Sequence, residues 1–482
     1  MSVVEGLRPE KVFFYFKEIT KIPHGSGNIE QLSDYLVEFA KERKIFFIQD
    51  ALKNVIMIKE AYEGYEEIPP IILQGHIDMV AVKKPGAAID MQRDSLCLKR
   101  EGDYLYAEDT SLGGDDGIAV AYALAILDSQ DIPHPKLEVI FTVDEETGMD
   151  GARDLDVSML KGKRMLNLDS EEEGILLAGC AGGARVDWNL PIKRITKSGM
   201  SYCVSIKGLL GGHSGTEIDK ERGNANALMG RLLSELSTNH IDACISQLEG
   251  GLADNAIPRE TKAIFTVDSS QEKEFRDVLK CVENEIKKEL QTKDAGFYLS
   301  IEKLPEAQTQ CLDKESMETV EFLIYCAPSG VQAMSADIAG LAETSLNMGI
   351  LKLEKDSLKV QFSVRSSLES SKKALILKLE CMAKRAGATQ EIRGDYPGWA
   401  YKKESPFRDM AVEVYRRIYG NEPKIEAIHA GLECGLLSAK ITDLECISIG
   451  PDMKDIHTTE EKLSVSSTER VWNYVLEILK EK

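Results

Sequence analysis

A chain of 482 residues is longer than one hydrophobic core ordinarily fills, so two or three domains are expected. Hydrophobic residues at 43% beside 29% charged residues describe a soluble globular protein rather than a membrane-embedded or disordered one. The formal net charge of −21 argues against a nucleic-acid partner, which requires Lys and Arg to neutralise phosphates.

The opening "MSVVEGLRPEKVFFYF" lacks the basic and apolar regions of a secretory leader, and no later run reaches the roughly 18 apolar residues of a membrane span. The ten cysteines include no C-x-x-C, and their closest pair is twelve apart. Neither a zinc ribbon nor a disulfide scaffold is suggested. The cysteines, Cys180 and Cys434 included, read as packing residues in a reduced, cytoplasmic setting.

The first part of the chain alternates helix-like and strand-like segments. "NIEQLSDYLVEFAKERK" places Leu32, Leu36 and Phe39 at helical spacing, and "PIILQGHIDMV" reads as a buried strand. "DGIAVAYALAILDS" is apolar nearly all round and predicts a buried helix. "KLEVIFTV" and "GKRMLNLD" are further buried strands. Such alternation predicts an α/β sheet with helices on both faces, whose ligand groups sit in loops at the carboxyl ends of strands. His134 beside prolines and His240 in "STNHID" read as surface residues.

From about residue 187 the texture becomes alternating and Gly-rich. Within it, "FTVDSSQEKEFRDVLKCVENEI" (265–286) aligns without a gap on "FSVRSSLESSKKALILKLECMA" (362–383), each a strand running through a Ser/Asp cap into a helix. After "EIRGDYPGW" the α/β texture returns. "SSTERVWNYVLEILKEK" predicts a final amphipathic helix, with Ser466 and Glu469 at capping-box spacing and Val471, Val475 and Ile478 on one face. Residues 1–186 and 390–482 are therefore expected to form one catalytic domain. Residues 187–389 form an inserted α+β lid, duplicated as about 187–300 and 301–389.

Five segments offer a candidate metal ligand in a strand-end loop: His76 in "QGHIDMV", Asp115 in "SLGGDDG", Glu146 in "DEETG", Asp169 in "LNLDSEEEG" and His457 in "DIHTTEE". Two imidazoles with three carboxylates suit zinc, or manganese or cobalt. Five donors exceed the need of one tetrahedral catalytic zinc and suit two ions sharing a carboxylate. Asp78, two residues after His76, is placed to accept the imidazole's other N–H. Singly, an Asp in a Gly-rich loop is an ordinary turn residue and paired Glu an ordinary helix start. Their joint order favours the metal.

Those residues stand in motifs that resemble a known family. "IPHGSG", "QGHIDMV", "SLGGDDGIAVA", "EETGMDGA", "NLDSEEEG", "GCAGG", "KGLLGGHSG", "GNAN", "NAIPRE", "YPGW", "IHAGLECG" and "SIGP" run collinearly through nearly the whole chain. They resemble the dinuclear zinc exopeptidases and deacylases that include carnosinases, aminoacylases and tripeptidases, and among these the bacterial aminoacyl-histidine dipeptidases. The resemblance implies that His76 and Asp169 hold one metal, Glu146 and His457 the other, and that Asp115 bridges them. It implies Glu145 as general base and a cis peptide after Asp115. The subfamily favours Asn after the bridging Asp; Asp116 departs from it in charge without removing a ligand.

In the middle segment, His213 in "GGHSG" matches the histidine that polarises the scissile carbonyl, and Arg365 in "FSVRSS" the carboxylate-anchoring arginine. Asn255 is implied as a further carboxylate or carbonyl contact. His429 and Glu433 match a substrate-side loop, where Glu433 either receives a dipeptide's free amino group or is a structural loop charge. His24 is left undecided. The expected activity is metal-dependent hydrolysis of short peptides of Xaa-His type by a monomer or homodimer, with closure of the two domains over the substrate. A duplicated lid would supply His213 within one chain. An N-acyl amino-acid deacylase on the same site and a catalytically inactive metal-binding homologue stay open. A phosphoesterase is disfavoured, since no basic cluster accompanies the carboxylates.

Overall fold

The computed structural model describes residues 3–482. The chain divides into two compact units, one of Met1–Gly179, Tyr401–Ala427 and Leu432–Lys482, the other of Cys180–Ala400 and Ile428–Gly431.

The first unit is built on an eight-stranded sheet in the spatial order Phe46–Gln49, Val55–Lys59, Leu137–Thr142, Ile71–His76, Arg164–Asn167, Glu445–Ser448, Ile175–Cys180 and Lys424–Ile428. Ile71–His76 runs parallel to both neighbours, and Arg164–Asn167 is also parallel to Glu445–Ser448. Every residue of Ile71–His76 and Leu137–Thr142 is buried, as continuous apolar runs require when both faces of a parallel sheet are covered. Because these strands point the same way, their following loops share one edge of the sheet. That edge receives His76, Glu145, Glu146 and Asp169.

The helix Gly114–Asp128 is buried from Gly114 to Leu127. Leu32, Leu36 and Phe39 face the core from the helix Glu30–Arg43, as their spacing predicts. The last helix, Val465–Lys480, buries Val471, Val475 and Ile478, but its cap is not the Ser466/Glu469 pair. Ser464 Oγ accepts from Ser467 N, while Ser466 donates its N–H and hydroxyl to Asp103, so the helix starts earlier than the capping pattern placed it.

His134 is also not a surface residue. It is 2% exposed, with Nδ1 2.7 Å from the Pro135 carbonyl. His240 is exposed. Among the described residues no disulfide joins any of the ten cysteines. Cys97, Cys281, Cys326 and Cys381 are exposed rather than packed, Cys97 in the loop before the strand Leu98–Glu101 and the other three on outward faces of helices. Among the described residues no helix is long and apolar enough to cross a membrane.

The second unit carries a nine-stranded sheet. Eight strands lie in the order Tyr298–Leu312, Arg194–Lys207, Thr261–Val267, Ala243–Gly250, Ala342–Leu353, Ser357–Ser366, Gly182–Pro191 and Thr389–Tyr396. Gly330–Met334 pairs with Ala342–Leu353 off this path.

The order contains the same βαββαβ pattern twice. In one half the strands are Arg194–Lys207, Ala243–Gly250, Thr261–Val267 and Tyr298–Leu312, with helices Ala225–Thr238 and Glu272–Glu289 after the first and third. In the other they are Gly182–Pro191, Ala342–Leu353, Ser357–Ser366 and Thr389–Tyr396, with helices Lys314–Cys326 and Glu369–Ala386. Both halves run fourth, first, third, second across the sheet and meet where Glu249 and Gly250 pair with Lys352 and Leu351. The echoing segments supply the third strand and second helix of each half. The halves are not consecutive blocks, because the first strand of the second half precedes the whole of the first half.

Candidate functional site

In the first unit, four of the five expected ligands arrive on loops at the sheet edge or on the buried helix, and His457 arrives on the loop after the strand Met453–Lys454. His76 Nε2 lies 3.1 Å from Asp115 Oδ1 and 3.5 Å from Asp169 Oδ1. His457 Nε2 lies 3.0 Å from Asp115 Oδ2 and 2.9 Å from Glu146 Oε1. The two oxygens of Asp115 thus face different imidazoles. Donors that share one small divalent ion at about 2.0–2.1 Å stand about 3.3 Å apart in a tetrahedral shell, so these side chains are close enough to share an ion, as they are to hydrogen-bond one another without one.

Electrostatics mark the same place as a concentration of acidic charge. Burial pushes the Asp169 carboxyl up to about 6, against the pull of His76, and neighbouring Asp115 and Glu146 add to the rise. His457 is pushed up to about 10 by its bonds to Asp115 and Glu146. Three carboxylates concentrated at one buried spot call for cationic charge to offset them, which divalent ions would supply. The donor set fits such ions.

Asp78 organises the surrounding backbone. His76 Nδ1 stands 3.0 Å from the Asp78 backbone carbonyl and 3.4 Å from its Oδ1. The carboxylate itself accepts the N–H of Glu145 at 3.0 Å, that of Glu146 at 3.3 Å and the Ser26 hydroxyl at 2.8 Å. The three acids in sequence consequently have separate surroundings. Asp144, in left-handed backbone conformation (φ 53°), turns back to accept from Gly27 N. Glu146 faces His457. Glu145 has its carboxyl pushed well above the usual range by burial, with Asp169, Glu433 and Glu146 adding to the rise and His76 opposing it.

Asp116 is closer to the centre than its place as a mere departure from Asn suggests. The peptide between Asp115 and Asp116 is cis, as the resemblance implies. Asp116 is fully buried, accepts the backbone N–H of His76 at 3.2 Å, and has a carboxylate oxygen within 4.8 Å of donor atoms of His76 and Asp169. Burial, reinforced by Asp169 and Asp115, raises its pKa well above that of an ordinary carboxyl. A Cβ on Gly75 would stand 2.6 Å from Asp116 Oδ2, so only glycine fits between His76 and this side chain.

Below the site lies a polar layer that sequence reasoning missed. Asn167 Nδ2 donates to Gln74 Oε1, and Gln74 Nε2 and the Thr142 hydroxyl both donate to Glu433. Each strand member sits within three residues of a site residue. Glu433 has no exposed surface, and burial holds its carboxyl up at about 7. Of the two readings open for Glu433, a structural charge is the one its enclosure and its Oε2 bonds to Gln74 and Thr142 favour, while its Oε1 has no hydrogen-bond partner.

In the second unit, His213 lies on the short strand Gly212–His213, paired with Ala256–Ile257, and Ser214 N donates to the Asn255 carbonyl, so the His213 and Asn255 loops adjoin. His213 Nδ1 accepts the N–H groups of Gly215 and Thr216, which leaves the proton on Nε2. Burial, with the charge of Arg365 acting in the same sense, lowers its pKa. This imidazole is a neutral donor. Asn255 is exposed.

Arg365 lies between Ser345 and Gly183 on the flanking strands. It is 8% exposed, its Nε has no hydrogen-bond partner, and its Nη1 donates to Tyr396 Oη at 3.3 Å. The Tyr396 hydroxyl occupies the space above Gly183, where a Cβ would come within 2.6 Å of it. Ser345 Oγ stands 2.7 Å from His429 Nε2. His213, Arg365 and His429 are thus brought together, and among the described residues no carboxylate pairs with the guanidinium.

His24 is 2% exposed, with Nδ1 2.6 Å from the Ile22 carbonyl and Nε2 without a partner.

His429 gives a prediction. Burial, then repulsion from Arg365, brings its pKa from 6.5 to about 4. Between these values the unfolded chain binds a proton that the folded chain does not, so stability falls as pH drops from 6.5 towards 4 and levels off below. The loss is at most roughly 3 kcal/mol. Thermal unfolding of His429→Gln across pH 7 to 4 should show a shallower acid decline than the parent by up to that amount.

Similarity to known proteins agrees with this geometry. The chain is 35% identical over 483 residues to the cytosol non-specific dipeptidase of Escherichia coli (strain K12), covering 100% of this chain and 99% of that one. The crystal structure of an aminoacylhistidine dipeptidase from Vibrio alginolyticus superposes with a TM-score of 0.94 at 33% identity, covering 99% of this chain and 98% of that one. A tripeptidase from Staphylococcus aureus shares the fold, with a TM-score of 0.57 at 16% identity over 98% of each chain. The pattern of peptidase family M20/M25/M40 matches residues 72–481, which span every acidic and imidazole group brought together above, and the chain belongs to that family.

Proposed function

We propose that this protein is a metal-dependent dipeptidase of the cytoplasm that hydrolyses dipeptides, Xaa-His among them. The observation that carries the reading is Asp115, whose two oxygens each face a different imidazole. That arrangement supports two ions: His76 and Asp169 would hold one, Glu146 and His457 the other, and Asp115 would serve both. Zinc is favoured by the mixed N/O donors, with manganese or cobalt as alternatives. Ions held there supply the positive charge that acidifies a water and polarises a carbonyl.

The chain's own residues do the rest. Glu145, with its raised proton affinity, takes the proton of the attacking water and returns it to the leaving amine. Asp78 keeps that carboxylate in place through the backbone of Glu145 and Glu146. The Nε2–H of His213 donates to the carbonyl oxygen as negative charge develops there. Arg365 pairs with the C-terminal carboxylate of the peptide, assisted by His429 and Asn255, which restricts the substrate to short peptides with a free end. The E. coli relative's name places that protein in the cytosol, which supports the same location here.

The test is a panel of dipeptides, their N-acetyl derivatives and N-acyl amino acids, assayed before and after chelation and after return of zinc, manganese or cobalt. Free dipeptides should be cleaved, activity should vanish with chelator, and at least one ion should restore it. Cleavage of N-acyl amino acids alone would make the enzyme a deacylase, and hydrolysis unaffected by metal removal would end the reading.

A further inference from the structure

Glu461 belongs to "TTEEKLSV", a stretch that reads as solvated acidic loop. It is 3% exposed, and its carboxylate accepts four successive backbone N–H groups. Oε2 takes Leu112 N at 2.7 Å and Gly113 N at 3.2 Å; Oε1 takes Gly114 N at 2.8 Å and Asp115 N at 3.5 Å. Convergent N–H groups of this kind form an anion-binding concavity, and here the chain fills it with its own carboxylate. Hydrogen bonds to an ionised acceptor are about twice as strong as neutral ones, so the cradle is firm.

The two loops that Glu461 joins are the ones carrying Asp115 and His457. His457 stands four residues before Glu461, in left-handed backbone conformation (φ 60°), with its side chain 43% exposed. Its loop is closed locally by Thr458 Oγ1 on Asp455 O and by Glu461 N on Thr458 O. The Glu461 carboxylate then fixes the folded loop to the segment that begins Asp115, and His457 Nε2 meets Asp115 Oδ2 at 3.0 Å.

We infer that Glu461 is a positioning residue for the ion assigned to Glu146 and His457, setting the distance between His457 and the shared Asp115. His76 ends the sheet strand Ile71–His76 and Asp169 follows the strand Arg164–Asn167 by two residues, and neither is bonded to Glu461. The inference rests on the two-ion reading above.

Metal-free protein titrated with cobalt(II) tests it, read by visible absorption and by competition with a chelator. The parent should take up two equivalents; uptake of fewer would fail the two-ion reading itself. Glu461→Gln keeps the size of the side chain but turns an NH2 group towards N–H donors. It should bind one equivalent within about twofold of the parent and the other at least tenfold more weakly, with the matching absorption lost. Glu461→Asp, which keeps the charge but is shorter, should fold and show an intermediate, equally one-sided loss; it carries the test if circular dichroism shows the Gln variant unfolded. Two parent-like affinities in these variants, or equal weakening of both, would overturn the assignment. A role confined to fold stability predicts lower thermal stability without a difference between the two sites.

Discussion

Replacing Glu145 by Gln should lower turnover of a dipeptide by about 10²–10⁴-fold while leaving two bound ions in place. The substitution preserves shape and removes only the capacity to take and return a proton. The surroundings of Glu145 raise its affinity for that proton through burial and the nearby Asp169, Glu433 and Glu146 charges. Its backbone N–H is fixed on Asp78, so the variant should keep the turn. Metal analysis beside the assay separates the roles. A variant that holds both ions and turns over normally would remove Glu145 from the proton transfer, whereas loss of an ion would make it a ligand. Glu146→Gln should behave in the opposite way, losing metal first and activity as a consequence.

That this strand ends in a candidate acidic site was legible in the sequence for a physical reason, whereas the division of roles between Glu145 and Glu146 came only from the family resemblance. A buried parallel strand must be apolar on both faces, so the polar residue that ends it stands out, and the run into "DEETG" does so as clearly as the runs into "QGH" and "LNLD". The strand–helix echo was legible because its halves occupy equivalent places in the sheet and keep the same buried faces around Phe265 and Phe362. Glu461 was not, because its partners lie some 346 to 349 residues away and its local pattern is that of a solvated loop. Gln74, Thr142 and Asn167 were hidden inside apolar runs, where a single polar residue leaves no periodicity. The position of Glu433 depends on those three, so its enclosure could not be read from "IHAGLECG" alone. The true cap of the last helix was missed because Ser464 and Ser466 are both competent, and only the distant Asp103 decides which of them is taken.

Arg365→Met should cost on the order of 10²–10³-fold in kcat/KM for dipeptides with a free C-terminus. The guanidinium is 8% exposed and its Nε has no partner, although buried arginine groups are ordinarily satisfied. Tyr396 engages only Nη1 and brings no negative charge. The unsatisfied part of the fork matches a carboxylate, and the burial that makes the pair strong makes loss of one member costly. Lys at this position keeps the charge but not the planar fork, so Arg365→Lys should recover only part of the loss. The discriminating measurement pairs each dipeptide with its C-terminal amide. In the parent the amide should be much the poorer substrate; in Arg365→Met the two should converge, because what separates them is gone. If the amide penalty persists in the variant, the carboxylate is bound elsewhere. If both substrates fall together by the same factor, Arg365 supports the fold around His213 and His429 instead of the substrate.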